Sequence, residues 1–349
     1  MIKQLYTPIL LAFTAVTLCI SCSKSSSPST TTPTTPTTEA LVINASRTSV
    51  EANNFDEVTF TVKDANGADV TASSTILVDG ATVATKNIIA NVAKQYSVKA
   101  TRGTVSSNTI TVNATTPSAS PFTQKLYAED YTGAWCGHCP RVGVNIENYA
   151  ATQPKLVYVT VHNNDALQYQ FEAQMRQQFG VTGFPTVTIN RDTKWNETNA
   201  AFNTELTKWA PLGLAIESVN NNGTITGKAK VKYQVSTSIP FKIVVLLIEN
   251  NIVLSQTNYG YHNLPNPISN YLQKNVLRKA STDIFGDAIP TNVQVKDAVY
   301  EKDFTFSTAG YVASNLKIVA FVEYNTNTLG RKGVVNVQTA SVGQTKNFD

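Results

Sequence analysis

Tyr131-Thr-Gly-Ala-Trp135-Cys136-Gly137-His138-Cys139-Pro140 is the stretch on which the reading of this chain turns. Two cysteines stand in C-x-x-C spacing behind a tryptophan. Upstream, Lys125-Leu126-Tyr127-Ala128-Glu129-Asp130 predicts a strand, and downstream Val142 to Tyr149 predicts a helix. A strand-to-helix junction puts Cys136 at a helix N-terminus, where unpaired N–H groups and the helix dipole stabilise an anion. That lowers a thiol pKa and yields a nucleophilic thiolate at neutral pH. The spacing lets Cys139 reach back to close or open a disulfide.

Three chemistries compete for the pair. One is reversible thiol–disulfide exchange, and a second is a permanent disulfide in an exported fold. The third is zinc, which needs four ligands. Beyond these thiols the imidazoles are His138, His162 and His262 alone, so neither a metal nor another cofactor is expected. Between two redox thiols, His138 can stabilise the thiolate and shift the couple toward oxidation, or it is a solvated turn residue. His162 reads as a polar strand-end residue.

At 349 residues the chain predicts two or three domains. It is 42% hydrophobic and 15% charged, with a net charge of +4 spread along its length. No basic run is interleaved with aromatics, which argues against nucleic acid as a partner.

Residues 1–22 read as an export signal. Lys3 supplies the positive start, and Tyr6 to Ile20 form an apolar run too short for an ordinary membrane span. The ending Cys19-Ile20-Ser21-Cys22 resembles a bacterial lipoprotein signal, which implies lipidation of Cys22 and attachment to a membrane. A plain secretion signal cut nearby is the alternative. Either route leads to a compartment where disulfides form. Residues 23–39 are Ser/Thr/Pro-rich and read as a tether.

Residues 40–115 alternate apolar and polar residues, as in Val58-Thr-Phe60-Thr-Val62 and Tyr96-Ser-Val98-Lys-Ala100. Asn66-Gly67 and Asp79-Gly80 supply turns. The pattern predicts a small β-sandwich similar to bacterial immunoglobulin-like spacers. Residues 122–211 then alternate strand and helix. Leu156 to Val161 predicts a strand buried on both faces. Leu167, Phe171, Met175 and Phe179 predict a helix stopped by Gly180. Thr186 to Ile189 predicts a strand, and Ala200 to Trp209 a last helix.

This segment resembles the thioredoxin fold, and Trp-Cys-Gly-His-Cys is most similar to the motif of protein disulfide isomerases. The resemblance implies a thiol–disulfide oxidoreductase acting on protein thiols or disulfides, with Cys136 and Cys139 as the redox pair and His138 between them. It implies that Asp130 is a buried carboxylate assisting proton transfer at Cys139. Gly183-Phe184-Pro185-Thr186 resembles the family's cis-proline loop, which implies that Pro185 meets substrate; Phe184 and Trp135 either form an apolar lip for substrate or simply pack. Pro140 departs from thioredoxin itself, which has Lys there, and predicts a later helix start or one lost bond.

Residues 212–349 predict a second β-sandwich, with strands at Ala229–Val235, Ile243–Ile248, Ala298–Phe306 and Leu316–Val322 and a turn at Asn221-Asn222-Gly223. Residues 256–290 form a long insertion, of a size that usually serves a function. Val276-Leu277-Arg278 and Gly286-Asp287 resemble a loop motif of the lipoproteins named after a twenty-eight-kilodalton outer-membrane protein. That resemblance implies a multidomain envelope protein. Ser23-Lys24-Ser25 lacks the acidic residues that direct some lipoproteins to the cell surface, which favours a periplasm-facing position. The rival function is a non-enzymatic adhesion or assembly lipoprotein. A redox enzyme is expected to expose Cys136, and a scaffold to hide the disulfide.

Overall fold

The computed structural model describes residues 40–325 and 330–349. Cys19, Cys22, the signal and the tether lie outside the described residues. The described chain is rich in strands and carries few helices. Among the described residues no helix is long and apolar enough to cross a membrane.

In the first segment, Glu57–Lys63 alternates buried and open positions, with Val58, Phe60 and Val62 facing inward. It lies in a three-stranded sheet with Val42–Ala45 and Asn87–Ile89. A six-stranded sheet centred on Lys94–Arg102 and Ile110–Thr115 supplies the other face of one core. Asp79 and Gly80 take φ of 50° and 84°, turning Thr75–Val78 into Ala81–Val83.

The next segment begins with β1 (Leu126–Thr132), α1 (Cys139–Thr152) and β2 (Leu156–His162). It continues through α2 (Glu172–Gln178), β3 (Thr186–Ile189) and α3 (Asn199–Leu206). β1 pairs parallel with β2 from Leu126↔Leu156 to Thr132↔His162, and antiparallel with β3. Alternation along β1 and β2 sends Leu126, Ala128, Leu156 and Tyr158 against α1 and α3, while Tyr127, Tyr131, Val157, Val159 and Val161 face the other side.

Two predicted helices are shorter than expected. The Leu167–Phe179 pattern yields helix only from Glu172, because the Asp165 carboxylate accepts the Leu167 N–H at 2.8 Å and bends the chain first. The last helix stops at Leu206, ahead of Trp209, whose Nε1 donates to Ser118 O instead. Pro140 delays nothing. α1 begins at Cys139 and holds Pro140 in its first turn, where no N–H partner is needed.

The C-terminal segment adds β4 (Leu212–Asn221), β5 (Thr224–Tyr233), β6 (Phe241–Glu249) and β7 (Val276–Ala280). After them come β8 (Val299–Ser307), β9 (Leu316–Tyr324) and β10 (Val334–Ser341). One sheet runs through both segments in the order β3-β1-β2-β7-β6-β9-β10, with Thr193–Lys194 beyond β3. Its junction is a parallel pairing at Thr160↔Val276, where Thr160 N donates to Asn275 O and Thr160 Oγ1 to Lys274 O. β6 is buried on both faces. Ile243, Val245 and Leu247 pack on the β4-β5-β8 sheet, and Val244, Leu246 and Ile248 on the opposite core.

Arg191, at φ 57° just after β3, bridges the segments from within. Its Nε donates to Glu129 Oε1 of β1 at 2.8 Å, and its Nη1 lies 3.4 Å from Glu323 Oε2 of β9. Nη1 also donates to Ile284 O of the insertion, while Tyr127 and Tyr131 hydroxyls donate to the two Glu129 oxygens. Deleting one partner of a buried ionic network leaves the other charges uncompensated and costs about 3–5 kcal/mol. Arg191→Met should therefore destabilise the chain by that order in urea unfolding, with Glu129→Gln recovering part of the loss. A change below about 1 kcal/mol would show that the network carries little of the fold's stability.

Candidate dithiol site

The parallel β1 and β2 end side by side, and the chain leaves β1 through Gly133 toward α1. Gly133 is required by close approach: a Cβ there would lie 2.6 Å from Trp135 Nε1 and 2.9 Å from Asn163 O. The Trp135 indole folds back and donates to Asn163 O at 2.8 Å, yet the residue remains 46% exposed. The Ala134 N–H donates to Asp165 Oδ2 at 2.8 Å, which fixes the loop just before Cys136.

Cys136 and Cys139 form a disulfide with a Cα–Cα distance of 5.4 Å. Cys136 lies ahead of the helix rather than in its first turn. His138 is the N-cap, and Cys139 N donates back to Cys136 O at 3.2 Å. The Phe184–Pro185 bond is cis, and the register Tyr131↔Thr186 sets Pro185 beside the end of β1. Trp135 and Phe184 meet edge to face with centroids 5.5 Å apart. The structure thus gathers Trp135, Cys136, His138, Cys139, Phe184 and Pro185 around one loop.

Asp130 sits on β1 in phase with Leu126 and Ala128, on the face covered by α1. It is 2% exposed, and its Oδ1 has no hydrogen-bond partner. Burial, with Glu147 of α1 adding like charge, pushes its pKa up to about 7. Burial also raises Glu147. Tyr271, from the insertion, belongs to the same cluster: burial and then the charges of Glu147 and Asp130 push its hydroxyl up.

His162 closes β2 as a polar strand-end residue, and it is enclosed there. It is 1% exposed, its Nδ1 lies 2.7 Å from Asp165 Oδ2, and its Nε2 is buried without a partner. Burial alone would raise Asp165, but hydrogen bonds from His162, Ala134 and Leu167 outweigh it and hold the carboxyl below its ordinary value. Among the described residues no group of three or more His, Cys, Asp and Glu side chains could hold a metal ion.

The insertion supplies site residues that the sequence reading did not name. Gln256, 2% exposed, donates from Nε2 to Gly133 O at 3.1 Å and Cys136 O at 3.0 Å. Thr257 N donates to Ala134 O, and Tyr259 N to Gly137 O. A Cβ at Gly137 would lie 2.5 Å from the Tyr259 ring. His138 stands edge-on to that ring at 4.9 Å, and its Nδ1 is 2.8 Å from the Tyr261 hydroxyl. Under this strap both cysteines are only 3% exposed. The length of the insertion was the signal, and its tyrosines Tyr259, Tyr261 and Tyr271 were the aromatic clue.

The profile of outer membrane protein Omp28 matches residues 172–346, half of the chain, from α2 through the strap to the last strands. The chain belongs to the Omp28 family. Within this Omp28-family protein, residues 120–210 match the thioredoxin profile. Among solved structures, HBP35 of Porphyromonas gingivalis is similar over 64% of this chain and 77% of that one, with 19% identity and a TM-score of 0.53. That likeness is one of fold. Domains 4–9 of surface layer protein SbsC align over 86% of this chain and 50% of that one at 12% identity, but a TM-score of 0.18 carries no argument. No curated protein matches.

The raised Asp130 has a consequence for stability. An unfolded aspartate titrates near about 3.9, so between that value and about 7 the folded chain holds a proton that the unfolded chain has released. Stability must then fall as pH rises through that window. Asp130→Asn should remove this slope, gaining on the order of 4 kcal/mol on the wild type between about pH 4 and pH 8. Urea unfolding of both oxidised proteins across that range checks it, and parallel stability curves would refute it.

Proposed function

We propose that this Omp28-family protein is an envelope thiol–disulfide oxidoreductase acting on protein disulfides or thiols. The observation that carries the reading is a disulfide at the start of α1 in the same unit as a buried carboxyl whose Oδ1 is unpaired and whose pKa lies near 7. In the reducing direction, the Cys136 thiolate attacks one sulfur of a partner disulfide. A mixed disulfide forms, the partner's S–S bond breaks, and the released thiolate takes a proton from solvent. Cys139 then gives its proton to Asp130 and attacks Cys136 Sγ. The Cys136–Cys139 bond forms, the mixed disulfide breaks, the second partner thiolate takes a proton from solvent, and the partner leaves as a dithiol carrying two electrons. The oxidising direction is the reverse.

His138 is the tuning residue of the pair, and Trp135, Phe184 and Pro185 form the lip that meets the partner. Residues 40–115 serve as an immunoglobulin-like spacer and residues 212–349 as a β-sandwich, which also carries the strap. Cys22 bears the lipid that holds the protein on a periplasm-facing membrane surface. Cys22→Ala should leave the protein soluble or as unprocessed precursor, because acyl burial of about 0.8 kcal/mol per CH₂ is what anchors it. Unchanged membrane fractionation of the variant would refute the anchor.

One observation favours the rival reading of a scaffold with a structural disulfide: Cys136 is 3% exposed beneath the strap. Trapping separates the two. Cys139→Ala removes the resolving thiol, so mixed disulfides with partners should accumulate, whereas Cys136→Ala should trap almost nothing. Equal trapping by both variants, or none, would favour the scaffold. So would a couple below roughly −300 mV in a glutathione titration.

A further inference from the structure

We propose that Tyr261 is a positioning residue of the dithiol. It fixes the imidazole of His138 and thereby sets how much of reduced Cys136 is thiolate. The inference rests on the thiol–disulfide reading of the same site.

The strap around Tyr261 is built to hold one shape. Asn258 is fully buried, and its side chain satisfies the surrounding backbone on both sides. Its Oδ1 accepts the Tyr261 N–H at 3.1 Å, and its Nδ2 donates to Leu264 O at 2.9 Å and Tyr261 O at 3.2 Å. Asn258 N in turn donates to Asn266 Oδ1 at 3.1 Å. Gly260 at φ 85° lets the chain turn between Tyr259 and Tyr261. A buried amide satisfied in this way makes a rigid mount. It carries the Tyr261 hydroxyl to 2.8 Å from His138 Nδ1.

The groups around His138 come from two elements. Tyr259 and Tyr261 belong to the strap. Arg141 on α1 lies with Cζ 5.6 Å from the Tyr261 ring centre and pairs with Glu197. His262 places Nε2 3.4 Å from Arg141 O. The ring of Tyr261 is therefore held by cation contact and its backbone by Asn258, leaving the hydroxyl as the atom that engages His138. With Nδ1 engaged by a hydroxyl that can either donate or accept, the orientation of the ring is set. His138 lies directly between the two thiols in sequence. A fixed, polarised imidazole there stabilises the adjacent thiolate, and a freely rotating one does so less.

The experiment uses the full chain, chemically reduced, and follows alkylation of Cys136 by iodoacetamide against pH by mass spectrometry. Wild type is compared with Tyr261→Phe, His138→Gln and the double variant, with the nitrogen shifts of the His138 ring recorded in parallel. Tyr261→Phe keeps the ring over Arg141 and removes only the hydroxyl. We expect its alkylation midpoint to move to higher pH and the neutral-pH rate to fall about three- to tenfold, the equivalent of one ordinary hydrogen bond. In the His138→Gln background the same change should have no further effect. The His138 ring shifts should also change in Tyr261→Phe. An unchanged pH profile in Tyr261→Phe overturns the proposal, as does an equal effect in the absence of His138. Failure of the oxidoreductase reading looks different: no trapping by Cys139→Ala, while the chemically reduced chain still reports on Tyr261.

Discussion

Buried charge has to be answered, and here one guanidinium answers for three parts of the chain. Arg191 holds Glu129 of the thioredoxin-like strands, Glu323 of the C-terminal strands and a carbonyl of the insertion, with Phe179 and Phe321 packed 4.9 Å and 4.7 Å from its charge. A carboxylate as deep as Glu129 costs several kcal/mol to desolvate. The geometry that compensates it exists only when β1, β3 and β9 are all in place. Such a network contributes little net stability relative to well-packed hydrophobes, but it penalises any other register or docking of the strands. The sheet so fixed sets the two ends of the strap, β6 and β7, and Gln256, Thr257 and Tyr259 tie its middle to the backbone around Cys136.

The C-x-x-C loop was legible because its signature is local. C-x-x-C, the tryptophan, a strand before and a helix after all lie within about thirty residues, and Thr186–Ile189 and the cis proline follow from a short motif. β6 and β9 were legible for a different reason: strands buried on both faces read as continuous apolar runs. β4, β7 and β10 were not, because their apolar residues are interrupted by polar ones whose partners are remote. Asn336 is an example. Its side chain donates to Thr123 O and Leu212 O and accepts from Lys125 N, more than a hundred residues away. No periodicity within β10 announces that. The strap failed to register for the same reason. Gln256 reads as an ordinary polar loop residue until Gly133 and Cys136 are beside it.

His162 is the polar strand end that its sequence context predicts, but its burial is not legible there. A histidine closing an apolar strand is usually wet, and the sequence offers no sign that Asp165 will fold back to cover it. The bend that brings Asp165 to His162 also shortens α2 and secures Ala134, so one side chain makes three contacts that the sequence pattern does not announce.

The sheet that joins β2 to β7 bears on modularity. The thioredoxin-like segment is the part that sequence patterns delimit most cleanly, yet its strand β2 is an interior strand of a larger sheet. Cut out alone, it would present β2 as a bare edge, with the cluster of Val157, Val159 and Val161 stripped of Val244, Leu246, Ile248, Val319 and Phe321, the kind of surface that pairs indiscriminately with other chains. The C-x-x-C loop and the C-terminal strands are therefore parts of one sheet-joined unit, and neither is portable to another scaffold by simple excision.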